Sequence, residues 1–193
     1  MDNVIKLVSP MCPSVNHYLA TRAVVKNGKP MAMMYETQEA KKYKKEFCEY
    51  IKEQIKIQNW NLPVTKTQHF YCDCVFYFDR IDKDCNNYFK LLLDSITETG
   101  LIWADDNVVC ERVNKILYDS SNPRIELTIY PVEYIGIFDT ELSYLLFEGT
   151  CKTCTRYKNN CSILKKAIDG RIQDDIDMKE LKCKKYKGKL NDK

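Results

Sequence analysis

Between Phe70 and Phe78 the chain alternates strictly: Phe70, Cys72, Cys74, Phe76 and Phe78 interleave with Tyr71, Asp73, Val75 and Tyr77. A period of two over nine positions predicts one long β-strand. Upstream the period is helical. Ala40, Tyr43, Phe47, Tyr50, Ile51 and Ile55 recur at one-turn spacing with Lys and Glu between them, and Thr37 stands where an N-cap is needed; this predicts an amphipathic helix over 38–57. Downstream, Tyr88, Leu91, Leu92 and Ile96 form a second apolar stripe, closed by Gly100 at a C-cap position. Val4 to Val8 reads as an opening strand. The stretch 10–29, with Pro13-Ser-Val-Asn16-His17-Tyr18 and then Asn27-Gly28-Lys29-Pro30, reads as an ordered loop and a turn. Val108–Tyr118 and Arg124–Tyr130 flank Asp119-Ser-Ser-Asn-Pro123, which predicts an antiparallel hairpin. The expected fold class is α/β (α+β), a small mixed sheet packed with two main helices.

Composition then divides the chain. With 193 residues, 45% apolar and 30% charged, it has the balance of an ordinary globular protein. The net charge of +3 is uneven: residues 151–193 hold 13 Lys/Arg against 6 Asp/Glu, whereas residues 1–150 hold 17 against 21. The basic tail is the phosphate-attracting surface to expect, although lysine runs also occur on merely solvated termini. No stretch approaches the roughly 20 apolar residues of a membrane span, and Met1-Asp-Asn-Val-Ile-Lys lacks a basic segment leading into an apolar secretory core. No membrane partner and a cytoplasmic setting are expected. Pro131 to Thr150 is apolar with few turn signals before Gly149, suggesting packed chain with a short helix at 140–147. We therefore divide the sequence into 1–149, with a core of 1–132 and a connecting segment of 133–149, and a small basic module of 150–193.

Candidate chemistry gathers where the long strand meets the second helix. Asp84-Cys-Asn86-Asn87-Tyr-Phe-Lys90 opens that helix, and Trp103-Ala-Asp105-Asp106 follows it. Asn86, Lys90 and Asp94 are spaced one turn apart, opposite the Tyr88, Leu91 and Leu92 face. Carboxylates able to hold a hydrated divalent cation, beside a lysine, can neutralise a phosphodiester and activate water. The same residues also have plain uses: Asp84 as an N-cap, Lys90–Asp94 as a surface pair, Asp105-Asp106 as a turn. His17 and His69 read as loop and strand residues rather than bases.

The ordered series is more specific than its parts. From Pro13-Ser-Val-Asn16 through Val132 the chain resembles the RusA-type Holliday-junction resolvases, small dimeric endonucleases of phages and prophages. Their signature runs approximately Asp-x-Asp-Asn-Leu-x-Lys, an apolar helix with Asp, then Gly and an aromatic or apolar stretch ending in Asp-Asp. Those places hold Asp84, Asn86, Asn87, Tyr88, Lys90, Asp94, Gly100, Trp103 and Asp105-Asp106. The resemblance implies a Mg²⁺-dependent endodeoxyribonuclease with Asp84 and Asp106 as metal ligands. It also implies Lys90 at the scissile phosphate, Asp105 as a ligand or a support for one, branched DNA as substrate, a homodimer, and a bacterial or phage-infected host cell. Asn86 departs from it, because an amide oxygen ligates a hard cation without adding charge or basicity. Three readings stay open: an enzyme with fewer charges, Asp82 substituting for the missing carboxylate, or a zinc-containing branched-DNA-binding or replication-accessory protein that does not cut. Asn16, Lys26 and Lys29, with His17 and Arg22 nearby, are expected to contact DNA.

Ten cysteines with no secretory signal read as thiols. Cys12, Cys48, Cys72, Cys74, Cys85 and Cys110 suit a buried apolar role. Cys151-x2-Cys154, then Cys161 and Cys183, suit a structural Zn²⁺ module, with reduced surface thiols or an iron–sulfur cluster as alternatives. A helix over 163–172 is expected to pack on it. Its Lys182, Lys184, Lys185, Lys187 and Lys189 suit a DNA backbone, and a protein-docking role is equally open.

Overall fold

The computed structural model describes residues 3–188; Lys189 lies outside them. The chain divides after Pro131 into two compact units.

In the first unit, strand β1 (Ile5–Pro10) leads into a four-residue helix α1 (Val15–Tyr18) and a two-stranded ribbon, β2 (Leu19–Lys26) and β3 (Lys29–Glu36). Helix α2 (Gln38–Ile57) follows, then β4 (Phe70–Phe78), helix α3 (Asn86–Thr99), a 3-10 turn (Asp106–Val108), β5 (Val109–Tyr118) and β6 (Arg124–Pro131). The mixed sheet runs β1-β6-β4-β5. Its odd-numbered positions on β1 and β6 and even-numbered positions on β4 are buried, in register, under α2 and α3. Phe70, Phe76, Phe78, Leu91, Leu92, Ile96, Ile125, Leu127, Ile129 and Trp103 make up much of this core.

The helices form where periodicity predicts. Thr37 caps α2, its side chain accepting from the Ala40 N–H at 3.3 Å. Gly100 ends α3 in the left-handed conformation at φ 61°, which glycine adopts without a Cβ penalty.

Two expectations are corrected. β5 and β6 do not form a hairpin: β5 pairs parallel with β4, and β6 lies on the other side of β4, antiparallel to it. The connection 119–123 crosses the end of β4, tied down by Asp119 N–H to the Phe78 carbonyl at 2.7 Å. Each of two inter-strand steps is about 4.8 Å, within reach of five residues. The geometric reason lies in β5, whose outer half is exposed as suits a sheet edge, whereas β6 alternates buried and half-buried as suits an interior strand. The stretch read as an ordered loop is instead α1 and the β2–β3 ribbon, with the expected turn at the ribbon's tip. Asn27 and Gly28, at φ 53° and 74°, form its two-residue turn, and that dipeptide is the strongest local hairpin signal.

The second unit holds α4 (Glu141–Lys152), α5 (Ile163–Ile168) and a minimal hairpin, β7 (Ile176–Asp177) with β8 (Lys182–Cys183). Thr140 and Ser143 form a reciprocal cap on α4, which includes Gly149, where the composition changes. Phe138, Phe147, Ile163, Ala167 and Ile176 form its core. α5 stops at Ile168, short of the expected 172, because the chain turns at Gly170, φ 75°. Among the described residues no helix is long and apolar enough to cross a membrane.

Candidate active site

Three local structures position the acidic residues, and Lys90 links two of them, Asp94 and Asp106. The first is the start of α3. Cys85 already has helical dihedrals and gives no side-chain cap; the Asp84 carboxylate does that work, accepting from the Asn86 N–H at 3.0 Å. Only one carboxylate oxygen is engaged by this bond, and Asp84 is exposed. The α3 N-terminus therefore presents an exposed carboxylate oxygen in the segment that follows β4.

The second is the polar stripe of α3. Asn86 and Lys90 are exposed and Asp94 half-buried, while Tyr88, Leu91 and Leu92 are buried against the sheet. Lys90 Nζ donates to Asp94 Oδ1 at 2.7 Å, the surface pair foreseen as a plain use of these residues. It also lies 3.4 Å from Asp106 Oδ2. Those partners, Asp94 first, hold the lysine above its ordinary pKa, so it is a cation at neutral pH.

The third is the segment after Gly100. Ile102 and Trp103 are fully buried, and Trp103 Nε1 donates to Thr97 Oγ1 at 2.7 Å while its ring packs on Phe70. The position of Asp105-Asp106 is thus dictated by an anchored tryptophan. Asp105 caps the 3-10 turn through Asn107 N–H at 3.0 Å, which leaves Asp106 turned toward Lys90.

Sequence reasoning missed Glu111 in β5. Its register partner is Cys72, a residue of the helix-covered face, so Glu111 leaves the sheet on the same side as α3. Although Glu111 is exposed, partial desolvation raises its pKa, and the Asp106 charge adds to the rise. Its parity with the Cys72 face was the available signal, hidden because the parallel pairing of β5 was not foreseen. Asp82 is ion-paired with Arg80 at 3.1 Å, both exposed, rather than joined to the cluster.

The oxygen donors suit a hard divalent cation. Among the described residues, however, no three His, Cys, Asp or Glu side chains close on one metal-sized point, neither here nor at the cysteines. Cys151, Cys154, Cys161 and Cys183 instead line one cavity of about 550 Å³ within the second unit. Burial, and then Cys183, Cys161 and Cys154, push the Cys151 thiol up to about 11.

The expected DNA contacts fall on separate elements. Asn16 is exposed on α1, which packs against α3; Ser14 Oγ meets His17 Nδ1 at 2.8 Å beside it. Lys26 and Lys29 face each other at the ribbon tip. Lys184 and Lys185 follow β8 in the second unit, Lys185 paired with Asp175 at 2.8 Å.

A comparison with curated proteins finds no match. Residues 10–130 match the family model described as Endodeoxyribonuclease RusA, a span that runs from the end of β1 to β6 and contains Asp84, Lys90 and Asp106. The chain belongs to the RusA endodeoxyribonuclease family.

Proposed function

We propose that this protein is a Mg²⁺-dependent endonuclease that cuts four-way or otherwise branched DNA as a homodimer. RusA-family nucleases resolve Holliday junctions and depend on a divalent metal. The observation that carries the reading for this chain is Lys90, whose Nζ lies 3.4 Å from Asp106 Oδ2. It joins the helix that Asp84 begins to the segment that ends in Asp106.

Asp84 and Asp106 are the proposed ligands of the ion, with Asn86 offering a neutral amide oxygen and water filling other positions. When bound, Mg²⁺ neutralises phosphate oxygens and lowers the pKa of a bound water. The protein's own groups do the rest. Lys90 turns from Asp106 to a nonbridging phosphate oxygen, placing a fixed positive charge where negative charge develops. Asp105 positions Asp106 by capping its turn, and Trp103 holds both. Asn16, Lys26, Lys29, Lys184 and Lys185 contact the backbone of the junction arms. Two-fold symmetry places two such sites on opposite strands. Zn²⁺ in the cysteine unit has no catalytic part, and a bacterial or phage-infected cytoplasm is the proposed setting.

One observation favours a second reading, a protein that binds branched DNA without cutting it: Asn86 occupies an aspartate position of the family signature. Incubation of a labelled four-way junction and a matched linear duplex with Mg²⁺, Mn²⁺ or chelator separates the two. The first reading requires metal-dependent nicks in the junction and little cutting of duplex. Junction binding with intact strands in both metals would favour the second.

A further inference from the structure

The second unit draws thiols from four separate places. Cys151 ends α4, Cys154 follows it in an isolated bridge with Gly188, Cys161 precedes α5, and Cys183 ends β8. All four line the same cavity of about 550 Å³, and none is in a disulfide. Three of them pack against a core that has five buried apolar side chains among the described residues. A unit that small ordinarily needs a metal, a disulfide or a partner to be stable.

The rim of the cavity has its own pattern. Arg156, Lys158, Lys165, Lys182 and Lys185 surround the thiols, with Asp169 the one acidic lining residue. Lys182 and Lys185 are paired with Glu180 and Asp175, and among the described residues the charges of Arg156, Lys158 and Lys165 have no ion pair of that kind at the rim. A dication held by four thiolates carries a net charge of −2, and such a ring would offset it. The Lys187 N–H already points to Cys154 Sγ at 3.4 Å, the kind of backbone donor that supports a ligating sulfur.

We infer that Cys151, Cys154, Cys161 and Cys183 are the four ligands of one structural Zn²⁺ ion that holds the second unit together. Four soft donors and no histidine select zinc in a closed tetrahedral site, with no position left for a substrate. Zn–S bonds of about 2.3 Å require the sulfurs to move inward from the cavity wall. The ion fixes β8, and with it the Lys184 and Lys185 that follow. This inference is independent of the nuclease reading, because it concerns a unit outside the matched span.

The test uses the intact chain, purified without chelator and freed of loosely held ions by gel filtration. Elemental analysis should find about one zinc per chain. Exchange with Co²⁺ should give a sulfur-to-cobalt charge-transfer band and the strong visible bands of a tetrahedral site, which carboxylate-bound cobalt does not show. Cys183→Ser should lose the band and Cys110→Ser should keep it. Removing the ion should expose 132–188 to protease while the fluorescence of Trp60 and Trp103, both in the first unit, stays constant. A zinc-free chain with ten titratable thiols, a disulfide among these four cysteines, or iron with acid-labile sulfide would overturn the inference. So would cobalt spectra lacking the thiolate band, a readout that does not depend on any variant folding.

Discussion

Lys90→Met separates what the lysine does for stability from what it does for chemistry. Methionine keeps most of the apolar stem and removes the charge. Lys90 is 54% exposed in its side chain, and it makes one i,i+4 pair with Asp94 at 2.7 Å and one longer pair with Asp106 at 3.4 Å. Exposed pairs of this kind are each worth about 0.3–0.5 kcal/mol, so the substitution should cost about 1 kcal/mol or less. A group that meets charge developing at the transition state is worth about 3–4 kcal/mol, a rate loss of about 10²–10³. Urea unfolding followed by tryptophan fluorescence reads the first unit alone, since both tryptophans, Trp60 and Trp103, lie in its core. Single-turnover cleavage of a four-way junction reads the chemistry. A stability loss as large as the rate loss would mean that Lys90 works only by tying α3 to the Asp105-Asp106 segment. An unchanged rate would remove it from the reaction.

Asn86→Asp restores a second carboxylate to the first turn of α3, where a helix N-terminus favours negative charge; cleavage should rise, and a fall would show that the site works with the amide. For Asp73, burial disfavours the charge, but hydrogen bonds from Arg112, Tyr130 and Asn114 outweigh it and hold the pKa below its ordinary 3.8. A depressed folded pKa gives stability that is present above pH 3.8 and lost as pH falls through the folded value. Asp73→Asn should therefore destabilise the first unit by about 1–2 kcal/mol at neutral pH, the gap closing below pH 3.8; a gap constant across acid unfolding curves would refute this. Gly136 has φ 57°, and a Cβ there would run into the carbonyl oxygens of Ala167 and Ile168, so Gly136→Ala should open the second unit to protease, whereas unaltered resistance would contradict the packing described.

How far the sequence foretold this molecule depends on the range of the interaction. α2, β4 and α3 follow from periods of 3.6 and 2 and from single caps at Thr37 and Gly100, all local properties. The partner of β5 is a non-local choice: the turn residues at 119–123 look the same whether the chain folds back on β5 or crosses over β4. The β2–β3 ribbon escaped notice because its strands lack alternation, being exposed at most positions of both, although Asn27-Gly28 marked its turn. In the site, the order of Asp84, Lys90 and Asp106 was legible, and so was the approach of Lys90 to Asp106. Glu111 was not, since its place beside Asp106 depends on the same parallel pairing. The Cys151-x2-Cys154 spacing suggested a metal module, and the fold lines one cavity with that pair, Cys161 and Cys183.

Cleavage of a synthetic four-way junction in Mg²⁺ by the wild-type chain and by Asp84→Asn tests the central claim most directly, with binding measured on the same samples. The account predicts paired nicks on opposite strands for the wild type, and retained binding with no nicks for the variant. An intact junction after incubation with bound wild-type protein, or cutting by Asp84→Asn at the wild-type rate, would contradict it.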